Sequence, residues 1–412
     1  MSGPDPDRSA GAGAAPERAI AAAVAALSLA ALASGISQRA MDPLLPRLAA
    51  DFGASIATVA GVITAFTIGY AAAQPLFGPV GDRYGKYRVI SWSGAACALA
   101  AAACALAPDL PSLLGARLLA GATAAAIIPL AMAWIGDVVP YERRQPVLAR
   151  FLIGQICGVA AGQLVGGLSA DYLGRRAPFA LAAVLFAACT ALLLRMRRGL
   201  PAAALATRQL EGGHGLAHVA REYAEVLRLP WARVVLAITC LEGALVFGAF
   251  AFFASHLHAA LGVSLAAAGV LVMPFALGGL VFALSTRALL GRLGELGLAR
   301  GGGALMLVAA LLTAFVPGVP LAALACFLMG LGFYMLHNTL QTNATQMAPE
   351  RRGAAVSAFA LSYFLGQSLG VSLAGWAVSR VGAAPTIAVA GVGIACVGLE
   401  FARRRRRLEP GR

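Results

Sequence analysis

Charge is scarce in this chain: Asp, Glu, Lys and Arg together make up 12% of 412 residues, while 60% are hydrophobic. A soluble protein of that make-up would carry more apolar surface than one core could bury, so lipid must be its solvent. Paired cysteines are missing as well. All seven (Cys97, Cys104, Cys157, Cys189, Cys240, Cys326, Cys396) lie inside apolar runs with no Cys-x-x-Cys, which excludes a disulfide framework or a cysteine metal site. Long polar stretches are missing too, apart from 197–230, which leaves no room for a soluble catalytic or nucleotide-binding domain. Gly81-x-x-x-Gly85-Lys86 is one residue short of a phosphate-binding loop and has Tyr87 where Ser or Thr is needed, which argues against an ATPase. No apolar run pairs a nucleophile with a base or shows metal-ligand spacing, so no catalytic residue, cofactor or metal is expected.

What the chain has is apolar length. Runs of about 17–25 residues, enough to cross a bilayer, lie near 19–41, 56–77, 88–107, 112–136, 148–170, 178–196, 232–254, 266–286, 300–316, 319–340, 355–377 and 383–402. The expected fold is therefore all-α and integral to the membrane, with twelve helices. The net charge of +14 does not point to nucleic acid, because it is distributed by side. With alternate loops assigned to one side, 26 of the 32 basic residues, including Arg403 to Arg407, share the side of both termini. The other side holds Arg39, Arg47, Arg175, Arg176 and Arg380, and Arg117 lies within a span. The positive-inside rule then places both termini in the cytoplasm. The first apolar run is too long for a cleaved signal and reads as an uncleaved anchor.

The chain also repeats itself. Asp82-Arg83-Tyr84-Gly85-Lys86 falls on Gly291-Arg292-Leu293-Gly294-Glu295, 209 positions on. Phe52-Gly53-Ala54-Ser55 falls on Leu261-Gly262-Val263-Ser264 at the same offset, as does Pro140 on Pro349. With an offset of 212, Gly154-Gln155 and Gly158-Val159 fall on Gly366-Gln367 and Gly370-Val371. Two copies of a six-span unit, of the kind secondary transporters use, account for this. The expected division is a flexible N-terminus 1–18, a bundle 19–196, a linker 197–231, a second bundle 232–402 and a basic tail 403–412.

The turn Gly78-Pro79-Val80-Gly81-Asp82-Arg83-Tyr84-Gly85-Lys86-Tyr87-Arg88 follows the pattern G-x-L-x-D-R-x-G-R/K-x-R, with Val80 for Leu. On these residues the chain resembles the major facilitator superfamily, in particular its twelve-span drug:proton antiporters, over about 19–402. Arg117-Leu118-Leu119-Ala120-Gly121 resembles that family's R-x-x-q-G, with Ala120 at the Gln position. Gly158-x-x-x-Gly162-Gln163-x-x-Gly166-Gly167 resembles the antiporter pattern G-x-x-x-G-P-x-x-G-G, with Gln163 in place of proline. The resemblance implies two pseudo-symmetric six-helix bundles around a central cavity, and alternating access by rocking. Gly78, Asp82, Arg83, Gly85, Lys86 and Arg88 would form a conformational gate, Asp82 latching onto a helix of the other half or the start of span eleven. Gly158, Gly162, Gly166 and Gly167 are close-packing positions.

Ionisable groups inside spans cost about 2.5–3.5 kcal/mol each on insertion scales, so they need a reason to be there. Glu242, midway along span seven with no base within a turn, suits a group that takes up and releases protons. Asp42 and Arg39, one turn apart, can pair. Arg117 should face the cavity, where it would hold Asp42, modulate Glu242 or bind an anion. His337 is a candidate proton relay. Tyr334, His337, Asn338 and Gln341 form a polar stripe on span ten; with Arg39, Gln74, Gln155, Tyr363 and Gln367 they would line a substrate cavity. The expected partners are a small-molecule substrate, protons and the bilayer, with no nucleic acid, in a monomer of a bacterial inner membrane. The expected function is proton-coupled export of a small organic compound. The rivals are uptake or uncoupled facilitation of an anionic metabolite, which Arg39 and Arg117 would serve, and a non-transporting membrane receptor or assembly partner.

Overall fold

The computed structural model describes residues 6–207, 216–315 and 318–408, so the expected cytoplasmic Arg208 and Arg412 lie outside the described residues. Eleven helices among the described residues are long and apolar enough to cross a membrane, one of which, Leu265–Ala314, is 50 residues long. At about 1.5 Å per residue that helix would be more than twice the thickness of a bilayer core, so it must fold back. It does so at Gly294, where φ 64° and ψ 177° leave the helical region. The expected twelve crossings are present, two of them in one run.

Span one is Pro6–Arg39, carried on by Met41–Phe52; span two is Ile56–Val59 with Gly61–Tyr84; span three is Lys86–Leu106. Span four is Leu110–Ala124 with Ile127–Val138, span five Tyr141–Leu168 closed by the π-helical turn Ser169–Leu173, and span six Ala177–Met196. A linker helix, Leu216–Arg228, leads to span seven, Pro230–Phe250 with Phe253–Leu261. Spans eight and nine are Leu265–Val272 and Pro274–Ala314, followed by span ten, Val319–Gln346, span eleven, Arg352–Val381, and span twelve, Ala383–Leu408.

Several helices outrun their apolar stretches at the arginine-rich end. Residues 78–88, expected as a turn, are helical on both sides of Gly85. Hydropathy marks where lipid ends, whereas backbone hydrogen bonding carries the helix on into water. Side-chain caps on α-helix starts come from Ser55, Asp109 and Ser264 among the described residues. Asp109 accepts from the Ser112 amide at 2.9 Å ahead of span four. Hydrogen bonding by the Ser112 side chain, and then by its amide, holds this exposed carboxyl below its usual range.

The duplication reappears in three dimensions. Six glycines among the described residues have positive φ, and they form three pairs: Gly53 with Gly262, Gly85 with Gly294, and Gly174 with Gly382. The close helix crossings repeat in the same way. A Cβ on Gly69 would lie 2.0 Å from the Leu118 carbonyl and one on Gly121 1.9 Å from that of Phe66. Their counterparts 209 positions on are Gly278 against Phe327 (2.3 Å) and Gly330 against Phe275 (1.9 Å). Span two therefore crosses span four as span eight crosses span ten. Gly154 and Gly158 press on the carbonyls of Ser28 and Leu32 in span one, and Gly366 and Gly370 on those of Cys240 and Ala244 in span seven. Only glycine lets helix backbones approach this closely.

Candidate functional site

The hydrogen bonds that join the two bundles, among the described residues, lie at the arginine-poor end. Ser368 Oγ donates to Thr67 Oγ1 at 2.7 Å, and Thr64 Oγ1 meets Ser372 Oγ at 3.2 Å. The Asp171 carboxylate, on the π-helical turn of span five, accepts from the amides of Leu265 (3.3 Å) and Ala266 (2.7 Å) at the start of span eight. A carboxylate of one bundle thus caps a helix of the other, where exposed amides and the helix dipole favour negative charge. Gly167, one turn earlier, would bring a Cβ within 2.6 Å of the Leu265 carbonyl. Asp171→Ala should therefore spread this seam. Loss of two charge-assisted bonds is expected to shift the closed-to-open ratio roughly tenfold, read as longer distances between spin labels placed at Ala50 and Ala260.

At the arginine-rich end, charged contacts stay within a bundle or tie down the linker. Lys86 Nζ bridges Asp82 (3.6 Å) and Asp137 (2.5 Å), at the foot of span four. Asp82 therefore pairs inside its own bundle in this conformation and does not reach the other half. Arg83 lies 5.2 Å over the Tyr84 ring and Arg88 6.0 Å over Trp92, Gly78 has open space around it, and Gly85 faces the linker backbone at Leu205. In the second repeat, Glu295 stands at the position of Lys86 with opposite charge, accepting from Asn343 and facing Arg405 at 3.7 Å. The linker helix is docked by a Tyr223 hydroxyl bond to Ser357 (2.5 Å) and an Arg351 to Glu222 ion pair (3.5 Å).

Two buried acids sit on opposite sides of the seam. Glu242 has no solvent exposure, and its Oε2 lies 2.9 Å from His337 Nδ1. His337 is stacked on Phe333 (4.9 Å) and flanked by Phe359 and Tyr363. In the other bundle, Asp42 accepts from Gln163 Nε2 at 2.8 Å and faces Arg39 Nη1 at 3.8 Å. Arg39 reaches across the seam, its guanidinium 4.0 Å above Phe247 and 5.7 Å above Phe250 of span seven. Arg117 donates to the carbonyls of Val62 and Ser37, both at 3.1 Å, lies 4.3 Å over Phe66, and is in electrostatic reach of Asp42 without bonding to it. Both arginines are buried, where the sequence suggested cavity-facing groups open to an anion.

The polar stripe of span ten divides. Tyr334 packs against Gly279 and His337 meets Glu242, while Asn338 and Gln341 are exposed, continued by exposed Thr342 and Thr345. Gln74 and Gln367 are buried, Gln155 is half-buried, and Tyr363 faces both His337 and Phe247. Gly162 and Gly166 pack on span one beside Arg39 and Ala40. Among the described residues no three His, Cys, Asp or Glu side chains gather as a metal site. Asp171, Phe247 and the Gln163 to Asp42 bond are the features that sequence reasoning did not select; the one trace of them was Gln163 standing in a proline position.

The architecture of two helical repeats can be compared with that of known proteins. The family model of the Major Facilitator Superfamily matches residues 27–371. The chain belongs to the Major Facilitator Superfamily. It is thus a multi-pass membrane transporter of that family and not an enzyme. The uncharacterized MFS-type transporter YwfA of Bacillus subtilis (strain 168) is 26% identical over 361 residues, 85% of this chain and 84% of that protein. The multidrug export protein EmrB of Escherichia coli (strain K12) is 30% identical over 146 residues, 35% of this chain but 28% of that protein. Among solved structures, the nucleoside transporter NupG superimposes with a TM-score of 0.72 at 17% identity, covering 92% of this chain and 98% of that one. The peptide transporter POT in complex with sulfate gives 0.72 at 15%, covering 93% and 94%. At such identities these two likenesses speak for the fold alone.

Proposed function

We propose that this protein is a proton-coupled exporter of small organic compounds in a bacterial inner membrane, captured with its cytoplasmic side open. The observation that carries the reading is Glu242: a fully buried carboxyl in mid-span whose hydrogen-bond and ion-pair partner among the described residues is His337. A carboxyl so placed holds a proton in one conformation and passes it, in another, to water or to the neighbouring His337. The multidrug exporters among the relatives, and the run Arg403 to Arg407 on the side of the termini, support direction and orientation. The exposed uncharged stripe Asn338, Gln341, Thr342 and Thr345 would line the open cavity, because such groups are costly against lipid. Asp82 and Lys86 would exchange partners when that side closes. The protein would work as a monomer.

A charge crossing 100 mV gains about 2.3 kcal/mol and each pH unit adds about 1.4 kcal/mol, so one proton can sustain a tenfold to several-hundredfold gradient. Facilitation of an anionic metabolite is the weaker reading, since Arg39 and Arg117 are both engaged and buried. Proteoliposomes holding a proton gradient and a pH dye, challenged with cationic, neutral and anionic compounds, test the proposal. Substrate-evoked proton movement by at least one class supports it. Substrate flux without proton movement overturns it in favour of facilitation.

A further inference from the structure

We infer that Gln163 is a positioning residue for Asp42, tying the charge on that carboxyl to closure of the seam at the arginine-poor end; this rests on the proton-coupled reading above. Where drug:proton antiporters resembling this chain carry a proline, the carboxamide of Gln163 donates to Asp42 Oδ2 at 2.8 Å, and both side chains are buried. Gln163 also belongs to the seam itself. Its carbonyl would lie 2.4 Å from a Cβ on Gly269, so span five and span eight touch there backbone to backbone. The second partner of Asp42, Arg39, touches the other bundle too, through Phe247 and Phe250. Asp42 is therefore held by two groups, each seated against the opposite bundle: Gln163 against span eight and Arg39 against span seven.

That geometry makes the charge on Asp42 a condition of closure. The charged groups that face it are Arg39 from its own segment and Arg117 from span four. Span five offers it neutral Gln163, while spans seven and eight bring Phe247, Phe250 and Gly269 to this part of the seam. While Asp42 is ionised, Arg39 has a counter-charge inside the seam. Once Asp42 is protonated, Arg39 is left as a buried cation among aromatic rings and the neutral phenols of Tyr334 from span ten and Tyr363 from span eleven, a costly arrangement that parting of the seam relieves by admitting water. Gln163 favours the ionised form, because its N–H donates to a carboxylate more strongly than to a carboxylic acid. A proline at 163 would have no such donor. The gain from glutamine is a seam that stays closed to a lower pH.

The test uses full-length protein in lipid nanodiscs, with the exposed Cys157 and Cys396 replaced by serine and spin labels at Ala50→Cys and Ala260→Cys. The fraction of long distances is read against pH for wild type, Gln163→Met, Gln163→Leu and Asp42→Asn. The wild-type fraction should rise as pH falls. Both Gln163 variants should move the midpoint upward by about one pH unit, although methionine keeps the length of glutamine and leucine does not. Asp42→Asn should remove the pH dependence. Unchanged midpoints in both Gln163 variants, or shifts that differ in direction with side-chain shape, would mean that Gln163 only fills space, and would overturn the inference. A full pH curve in Asp42→Asn would overturn it as well. Substrate-evoked proton movement is measured on the same wild-type preparation. If it is absent, the proton-coupled reading fails and takes this inference with it; if it is present while the midpoints stay put, this inference fails alone.

Discussion

Gly121→Ala and Gly330→Ala should each cost the folded protein more than about 3 kcal/mol, although alanine is the better helix former by about 1 kcal/mol. A single added carbon at either site would stand 1.9 Å from a backbone carbonyl, that of Phe66 or of Phe275. Backbone cannot move aside as a flexible side chain can, so spans two and four, or eight and ten, would have to separate along their length. The two substitutions occupy the same place in the two repeats and should be equally damaging. Gly115→Ala and Gly136→Ala, also helical but with nothing within 4 Å of the added carbon, should be neutral or slightly stabilising. Thermal unfolding of the detergent-extracted proteins checks all four. Loss at the controls equal to that at Gly121 would show that helix crossing is not the cause.

The same glycines show how far the sequence can be read. Spacing alone exposed the repeat, because residues that must break or closely cross helices have few substitutes: Gly53 and Gly262, or Gly85 and Gly294, share an offset and a left-handed backbone. Apolar length found the crossings but shortened several of them, as at Pro79 to Tyr84, because polar residues continue a helix once it leaves lipid. Hydropathy separated spans eight and nine at 287–299, where the helix folds back at Gly294 with no intervening loop.

Glu242→Gln should abolish substrate-evoked proton movement, a loss of at least about a hundredfold, whereas His337→Asn should weaken it by about tenfold. Glutamine keeps the shape of Glu242 and can still hydrogen-bond His337 Nδ1, but it cannot carry a proton through the cycle. His337 is the partner, 2.9 Å away, and its loss leaves Glu242 titratable with altered exchange. Initial rates of dye response in proteoliposomes distinguish the two. Equal loss in both would make the pair, and not the carboxyl, the coupling unit.

Glu242 and His337 were each visible in the sequence as ionisable groups inside apolar runs, yet their contact was not, since they are 95 positions apart and the rotation of two helices decides it. Arg39 and Asp42 were legible as a pair because one helical turn joins them. The seating of Arg39 on Phe247 was not legible, for it depends on how the bundles meet. Asp171 was not singled out in the sequence; what gives it meaning is the start of span eight, nearly a hundred residues on.

The most direct test of the account follows radiolabelled substrate and internal pH in the same proteoliposomes, comparing wild type with Glu242→Gln. The account predicts that the wild type exchanges substrate for protons and accumulates substrate against a gradient, while the variant equilibrates substrate at most and moves no protons. Accumulation by the variant to the wild-type level, with its proton movement intact, would contradict the assignment of coupling to Glu242.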